Sequence, residues 1–141
     1  MEIRELETRS EWREAYPIVK QLHTDLDEST YLDRLPEMTT DGYRLFAGVL
    51  DGEIVALAGV GIGMNMYYGR HLWVYELITD VEHRSRGYGL ELLSFVEEWA
   101  ERRGCELVAL SSGIQRENAH RFYEERTGME RASYVYKRPL G

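Results

Sequence analysis

The chain has 141 residues, of which 43% are hydrophobic. This size and composition suit one domain with its own core, so we expect a single domain over residues 1–141. The formal net charge of −8 argues against a general binder of nucleic acid or of anionic membranes, because both need a positive field. A local basic cluster at His83, Arg84 and Arg86 leaves room for a small anionic ligand.

The cysteine content and the apolar runs indicate the compartment. Cys105 is the single cysteine, so no disulfide can form within the chain, and we interpret it as a small buried residue rather than a nucleophile. The first residues lack the apolar run of a signal peptide. No stretch approaches the roughly 18 apolar residues of a membrane span. The sequence therefore predicts a cytoplasmic protein.

The first half of the chain predicts a strand, two helices and a hairpin. Residues 11–22 space apolar side chains at helical intervals, with Ser10 as a cap. Asp51-Gly52 is the residue pair that a type I′ turn favours. The predicted elements are a strand at 2–7, helices at 11–22 and 28–36, a loop up to residue 41, and strands at 43–50 and 54–61.

The second half alternates strands with helices. From Gly87 the apolar period changes to that of a helix, which we expect to end at Gly104. The predicted elements are a strand at 72–80, this helix, a strand at 106–111, a helix at 116–126 and a strand at 131–137. The order predicts an α/β fold, with one mixed sheet and helices on both of its faces.

The turn at Arg84-Ser85-Arg86-Gly87-Tyr88-Gly89 lies between a strand and a helix. A helix N-terminus offers unpaired N–H groups to an anion, and glycines allow close approach of the backbone. The turn lacks the third glycine of a dinucleotide site and the Gly-Lys of a P-loop. The alternating Gly59, Gly61 and Gly63 indicate close packing rather than a phosphate site.

Two segments carry a resemblance to a known family. Arg84-x-x-Gly87-x-Gly89 resembles the Gln/Arg-x-x-Gly-x-Gly/Ala motif of the GNAT superfamily of N-acetyltransferases, and Ala119-His120-Arg121-Phe122-Tyr123 resembles its second motif. The likeness runs from about residue 3 to 137. Glu76-Leu77, the second motif and the Asp51-Gly52-Glu53 hairpin are similar to the aminoalkylphosphonate N-acetyltransferase branch.

The resemblance implies a single mixed, mostly antiparallel sheet in which the parallel strands 72–80 and 106–111 splay apart. The pantetheine arm of acetyl-CoA would bond to the backbone of Leu77, Ile78 and Thr79. Its pyrophosphate would bind the segment formed by Arg84, Ser85, Arg86, Gly87, Tyr88 and Gly89. The family places Asn three residues before the alanine of its second motif. Arg116 stands there and Asn118 directly precedes Ala119, so either residue is a candidate contact to the coenzyme.

The resemblance also implies the chemistry. Tyr123 occupies the position of the general acid that protonates the departing thiolate. Glu76 stands where family members often have a base that works through water. For Glu76 three roles stay open: a proton relay, an anchor for the substrate ammonium, or a structural carboxylate paired with an arginine. The spacing from Tyr123 to Gly128 is one residue longer than is usual, which predicts a shifted helix end.

The acceptor is expected to be a small amine. Candidate pocket residues come from the first two helices, the loop 63–71 and the chain end: His23, Tyr31, Tyr67, Tyr68, Trp73 and Tyr134. Arg70 or Arg116 would suit a phosphonate. His120 is expected to bond locally or line the site edge, and the four histidines show no metal-ligand spacing. Acetylation of a protein or peptide, and a coenzyme-A-binding sensor without catalysis, are the alternatives. The sequence does not decide whether the protein forms a homodimer.

Overall fold

A five-stranded sheet forms the centre of the computed structural model, which describes all of residues 1–141. The chain divides into two compact units, Met1–Leu110 and Ser111–Gly141. The first contains β1 (Glu2–Leu6), α1 (Arg9–Leu22), α2 (Glu28–Thr40), β2 (Arg44–Leu50), β3 (Glu53–Asn65), β4 (Gly69–Thr79), a 3₁₀ turn (Val81–His83), α3 (Tyr88–Glu101) and β5 (Leu107–Leu110). The second contains α4 (Glu117–Arg121) and a π-helical turn (Phe122–Arg126).

The strands lie in the order β1-β2-β3-β4-β5, with β1 to β4 antiparallel and β5 parallel to β4. The predicted mixed, mostly antiparallel sheet is thereby confirmed. Asp51 and Gly52 join β2 to β3 with φ values of 52° and 81°, as a type I′ turn requires. The parallel pairing runs only from His71–Leu107 to Val74–Leu110, so residues 75–79 of β4 continue without a partner on that side. This is the predicted splay.

Helices cover both faces of the sheet, as predicted. Successive side chains of a strand point to opposite faces, so Leu45 packs beneath α1 and α2 while its neighbour Phe46 packs beneath α3. Each face thus has its own apolar cluster. Leu32 of α2 is buried in the cluster beneath α1 and α2, and Leu92 of α3 is buried in the cluster beneath α3, here called the α3 cluster. Burying each such leucine contributes roughly 1.5–3 kcal/mol, so both helices are fixed to the sheet mainly by apolar burial.

The first two helices differ from prediction at their ends. Helix α1 is capped by Thr8 rather than Ser10, because Thr8 and Glu11 form a reciprocal capping box. Helix α2 does not stop at Pro36 but runs to Thr40. Pro36 cannot donate to the Leu32 carbonyl, and the Arg9 guanidinium donates to that carbonyl instead at 3.5 Å. The Thr39 and Thr40 hydroxyls donate to the Pro36 carbonyl, which holds the last turn.

The predicted strand at 131–137 is wrong. Residues 129–141 contain no strand, and Tyr134 and Tyr136 are 77% and 91% exposed. Alternation is only a local preference, and a strand is stabilised by cross-strand pairs and by burial of one face. These residues form no strand pairing and their aromatic side chains are exposed. The loop expected at 63–71 is likewise mostly strand, because β3 continues to Asn65 and β4 begins at Gly69.

Candidate active site

Glu76 lies at a bulge in β4. Glu76 pairs with Gly59 of β3 and Val74 pairs with Val60, which leaves Tyr75 as an extra residue in β4. The parallel pairing of β4 with β5 ends at the same Val74. A bulge bends its strand and redirects the side chains around it. Glu76 is therefore presented two residues beyond the point where β4 leaves β5.

The carboxylate of Glu76 accepts two side-chain hydrogen bonds. The Tyr43 hydroxyl donates to its Oε2 at 2.5 Å, and Nε2 of His23 lies 3.2 Å from its Oε1. The Glu76 side chain is 14% exposed and that of His23 is 41% exposed. Burial, followed by the charge of Glu76, raises the pKa of Tyr43, so its phenol stays a donor. Glu76 has no arginine partner, so its predicted alternative role in an arginine pair is wrong.

A cleft of about 620 Å³ opens beside Glu76. Its walls are the end of α1, the loop before α2, and α2 itself. Apolar wall residues include Leu22, Leu26 and Met38, and the polar residues that line it are His23, Thr24, Asp25, Asp27, Thr30, Tyr31, Arg34, Tyr43 and Glu76. Among the polar lining residues, three carboxylates face one guanidinium. The cleft therefore favours a cation that also carries apolar surface.

Two of the six predicted pocket residues line this cleft, namely His23 and Tyr31. Tyr67, Tyr68 and Trp73 lie outside it. Extension of β3 and β4 leaves only a tight turn where a longer loop was expected, and Tyr67 in that turn is 94% exposed. Arg70, a predicted phosphonate partner, instead donates from Nε to the Arg103 carbonyl at the end of α3, at 2.8 Å.

The turn before α3 presents unpaired donors. Gly87, the N-cap residue, has φ 85° and no side chain caps the helix. The first helical bond runs from the Glu91 amide to the Gly87 carbonyl at 3.0 Å, so the amides of Tyr88, Gly89 and Leu90 lack partners within the chain. Ser85 also has a positive φ of 65°. With Arg84 and Arg86 exposed beside it, this turn has the donors and the charge to bind phosphate oxygens.

Asp80 connects this turn to α1. Its Oδ1 accepts from Nε2 of Gln21 at 2.8 Å, and its Oδ2 lies 2.9 Å from Nδ1 of His83. The Val81 amide in turn donates to Gln21 at 2.9 Å. The Gln21 hydrogen bond, and then the His83 contact, lower the pKa of Asp80. This network was not predicted, because residues 59 positions apart give no local signal of contact.

The unpaired edge of β4 contains the three residues predicted to meet the pantetheine arm. Leu77 packs toward α3 and Ile78 toward α1 and α2, so both side chains leave the strand edge clear. The Thr79 carbonyl accepts from Nε of Arg84 at 3.3 Å. An extended amide chain can pair with such an edge as a further strand would.

Within the second unit, Tyr123 lies in the π-helical turn. The Met129 amide donates to the Tyr123 carbonyl at 3.1 Å, and Gly128 has φ 73°. The π-helical turn, Phe122–Arg126, holds the extra residue between Tyr123 and Gly128. A shift of the helix end relative to the family stays a prediction. Burial raises the pKa of Tyr123, against an opposing effect of Arg116. Its phenol is therefore protonated at neutral pH.

The other second-motif residues bond within the same unit. Asn118 is exposed and its Oδ1 accepts from Arg121. Arg116 reaches the Ser112 hydroxyl at 3.5 Å. His120 contacts the Gly113 carbonyl at 2.9 Å, which agrees with the expected local bond. Cys105 packs against the α3 cluster, as a small apolar residue would.

No group of three or more His, Cys, Asp or Glu side chains is arranged to hold a metal ion. No helix has both the length and the apolar surface to cross a bilayer.

Solved structures share this fold. A transcriptional regulator from Bacillus halodurans superposes with a TM-score of 0.85 at 24% identity, over 99% of each chain. The aminoglycoside N-acetyltransferase AAC(6')-Iy in complex with CoA superposes with a TM-score of 0.86 at 17% identity, over 99% of this chain and 93% of the other. At these identities the likeness establishes the fold alone.

Sequence comparison gives the family. An uncharacterized N-acetyltransferase of Bacillus subtilis, YhdJ, is 40% identical over 139 residues, 98% of each chain. The aminoalkylphosphonate N-acetyltransferase of Salmonella typhimurium is 28% identical over 127 residues, 87% of this chain and 80% of the other. The acetyltransferase (GNAT) family model matches residues 6–129. The protein therefore belongs to the acetyltransferase (GNAT) family and is an acyltransferase.

Proposed function

We propose that this protein transfers the acetyl group of acetyl-CoA to the primary amine of a small molecule, with residues 1–141 acting as one N-acetyltransferase domain. One observation carries the proposal: a mostly buried carboxylate, Glu76, lines the cleft and also lies on the part of β4 that diverges from β5. A thioester held along that edge would meet an amine held in the cleft.

The donor side of the proposal rests on two features of the first unit. The unpaired edge of β4 at Leu77, Ile78 and Thr79 suits the amides of a pantetheine arm. The turn from Arg84 to Gly89 suits a pyrophosphate, because three amides and two exposed guanidiniums lie there together. We assign Arg116 or Asn118 as a further contact on the strength of the second motif alone.

The acceptor must lose a proton before it can react. An alkylamine with a pKa near 10.4 is neutral in about one molecule in a few thousand at pH 7. We assign removal of this proton to the Glu76 site, where negative charge is buried and already oriented by Tyr43. We assign protonation of the departing thiolate to Tyr123, whose raised pKa keeps it in the donor form.

The size and charge of the cleft favour a small acceptor over a protein. A volume of about 620 Å³ matches that of small-molecule sites in general. Arg34 lines the cleft and forms no ion pair, so it can receive an anionic group such as a phosphonate. The 28% identity to an aminoalkylphosphonate N-acetyltransferase supports testing aminophosphonates first. The lone cysteine supports a cytoplasmic setting.

A thiol-release assay tests the proposal. The protein is given acetyl-CoA and a panel of aminophosphonates, aminosugars, polyamines, amino acids and peptides. We expect release above the rate of hydrolysis with at least one small amine, and a strong loss of that release in Glu76→Gln. Tight acetyl-CoA binding by calorimetry with no release across the panel would contradict it and favour a sensor, and release with peptides alone would favour a protein acetyltransferase.

A further inference from the structure

His23 occupies the end of α1 with its ring in the cleft. It is the C-cap residue of that helix, and its amide donates to the Val19 carbonyl at 2.9 Å. Nε2 of its ring lies 3.2 Å from Oε1 of Glu76. The C-terminal end of a helix favours positive charge. His23 is thus held in one place by its backbone and in one orientation by Glu76.

The contact with Glu76 determines which ring nitrogen is free. A carboxylate accepts hydrogen bonds and does not donate them, so the ring proton of neutral His23 belongs on Nε2. The lone pair then lies on Nδ1, and this atom makes no hydrogen bond within the protein. The pair is arranged as a carboxylate–histidine dyad, in which the carboxylate fixes the tautomer of the base.

We propose that His23 is the general base of the acetyl transfer, accepting the amine proton on Nδ1, and that Glu76 positions it. This inference rests on the function proposed above and names the atom that takes the proton. Both oxygens of Glu76 already accept hydrogen bonds and its side chain is 14% exposed, whereas that of His23 is 41% exposed. His23 can therefore receive a proton in the cleft and release it to solvent.

The intrinsic chemistry of the two side chains points the same way. A general base works best when its pKa lies near the working pH. Histidine is the side chain that most often serves as a general base.

The step balances as follows. The N–H bond of the substrate ammonium breaks as its proton bonds to Nδ1 of His23, and the nitrogen keeps the electron pair. That pair forms the C–N bond to the acetyl carbon while the C–S bond breaks and its electrons go to sulfur. The sulfur gains a proton from Tyr123, the nitrogen loses its second proton to water, and the Tyr123 phenolate regains a proton from solvent. The proton on His23 leaves through solvent.

Charged and titratable groups from several elements line the cleft that contains the ring. These are Asp25 and Asp27 from the loop, Tyr31 and Arg34 from α2, Tyr43 just before β2, and Glu76 from β4. Only Glu76 bonds to the ring, so it alone fixes the tautomer.

His23→Gln tests the inference, because glutamine keeps an N–H donor for Glu76 and lacks a base. With an amine that the wild type acetylates, we expect kcat/KM at pH 7 to fall about 100-fold. The acidic limb of the pH–rate profile should vanish, while the KM for acetyl-CoA stays the same. Free imidazole should restore part of the rate of His23→Ala. Lys20→Gln, on the solvent side of α1, serves as control.

Two results would overturn the inference without touching the proposed function. One is a His23→Gln variant that thermal melting shows to be folded and that keeps the wild-type kcat/KM and the same acidic limb of the pH–rate profile. The other needs no activity: long-range ¹H–¹⁵N correlation spectra of the wild type that place the neutral ring proton on Nδ1. A wild type that acetylates no amine at all would instead contradict the proposed function. The tautomer measurement would still show whether Glu76 holds the ring proton of His23 on Nε2.

Discussion

Gly59 and Glu76 are cross-strand partners, and a Cβ atom placed on Gly59 would lie 2.0 Å from Oε2 of Glu76. The same atom would lie 2.0 Å from the Tyr43 hydroxyl. No side-chain carbon approaches another heavy atom so closely. The absence of a side chain at Gly59 is thus what allows Tyr43 and Glu76 to meet, and the glycine is part of the site although it has no functional group.

Gly59→Ala should therefore damage activity more than stability. We expect kcat/KM to fall at least about tenfold, since misplacing a reacting group by an ångström is costly, and stability to fall by roughly 1–3 kcal/mol. Thiol release and urea unfolding measure the two effects. Gly61→Ala is the matched control, because its Cβ would meet only the ring of exposed Tyr75, at 3.1 Å. Equal losses in both variants would contradict this role of Gly59.

Gly87→Ala should weaken the donor site selectively. Gly87 has φ 85°, a conformation that costs a residue with a side chain roughly 1–2 kcal/mol. Relaxing that strain would move the free amides at the start of α3, so we expect KM for acetyl-CoA to rise several-fold while KM for the amine changes little. Gly42→Ala is the control. Gly42 has φ 104° and open space around it, so this variant introduces similar backbone strain away from the donor site. A rise confined to the amine KM would refute the assignment.

Apolar patterning and turn chemistry predicted most of the fold because both act locally. The Asp51-Gly52 pair specified its hairpin, and the alternation of Leu45 and Phe46 specified two covered faces. Prediction from the sequence was wrong where the local structure depends on residues far away in the chain. Helix α2 passes Pro36 because the Arg9 guanidinium, 23 residues before its Leu32 acceptor, satisfies the carbonyl that proline leaves free. Residues 131–137 alternate as a strand does but pair with no strand.

The site was predicted in part for the same reason. Glu76 and the turn at 84–89 lie in motifs of fixed local spacing, so a resemblance could locate them. Tyr43 and Gly59 were not predicted as parts of the site. The bulge at Tyr75, which pairs Glu76 with Gly59, depends on contacts between strands, and Tyr43 lies 33 positions from Glu76. His23 was expected in the pocket, but its bond to a residue 53 positions away could not be read from the sequence.

Asp80→Asn should lower stability in a pH-dependent way. The pKa of Asp80 is depressed in the folded state by Gln21 and then His83. Its contribution is therefore present above the ordinary aspartate value near 3.9 and is lost as the pH falls through the folded value. We expect a loss of roughly 1–2 kcal/mol at pH 7.

Urea unfolding at a series of pH values measures this effect. The gap between wild type and Asp80→Asn should narrow as the pH falls below about 3.9. Asp33→Asn, at an exposed position of α2, should leave stability within about 0.5 kcal/mol of wild type at pH 7. A gap of constant size across the acidic range would show that Asp80 acts by shape rather than by charge.

Tyr123→Phe removes only the hydroxyl that we assign to protonating the thiolate. General acid catalysis contributes about 100-fold or more, so kcat at pH 7–8 should fall by that order while KM for acetyl-CoA changes little. Because burial raises the pKa of Tyr123, its acid form persists above the ordinary value near 10. Any loss of wild-type rate from its ionisation therefore starts no lower than that pH.

The same alkaline loss should be missing in Tyr123→Phe, which has no proton to lose. Tyr136→Phe, at a position that is 91% exposed, controls for the loss of a hydroxyl elsewhere in the second unit. Wild-type turnover by Tyr123→Phe at pH 7–8 would disprove the acid role. The thiolate would then leave unprotonated or take its proton from water, and the function of the π-helical turn would have to lie in packing rather than in placing a phenol.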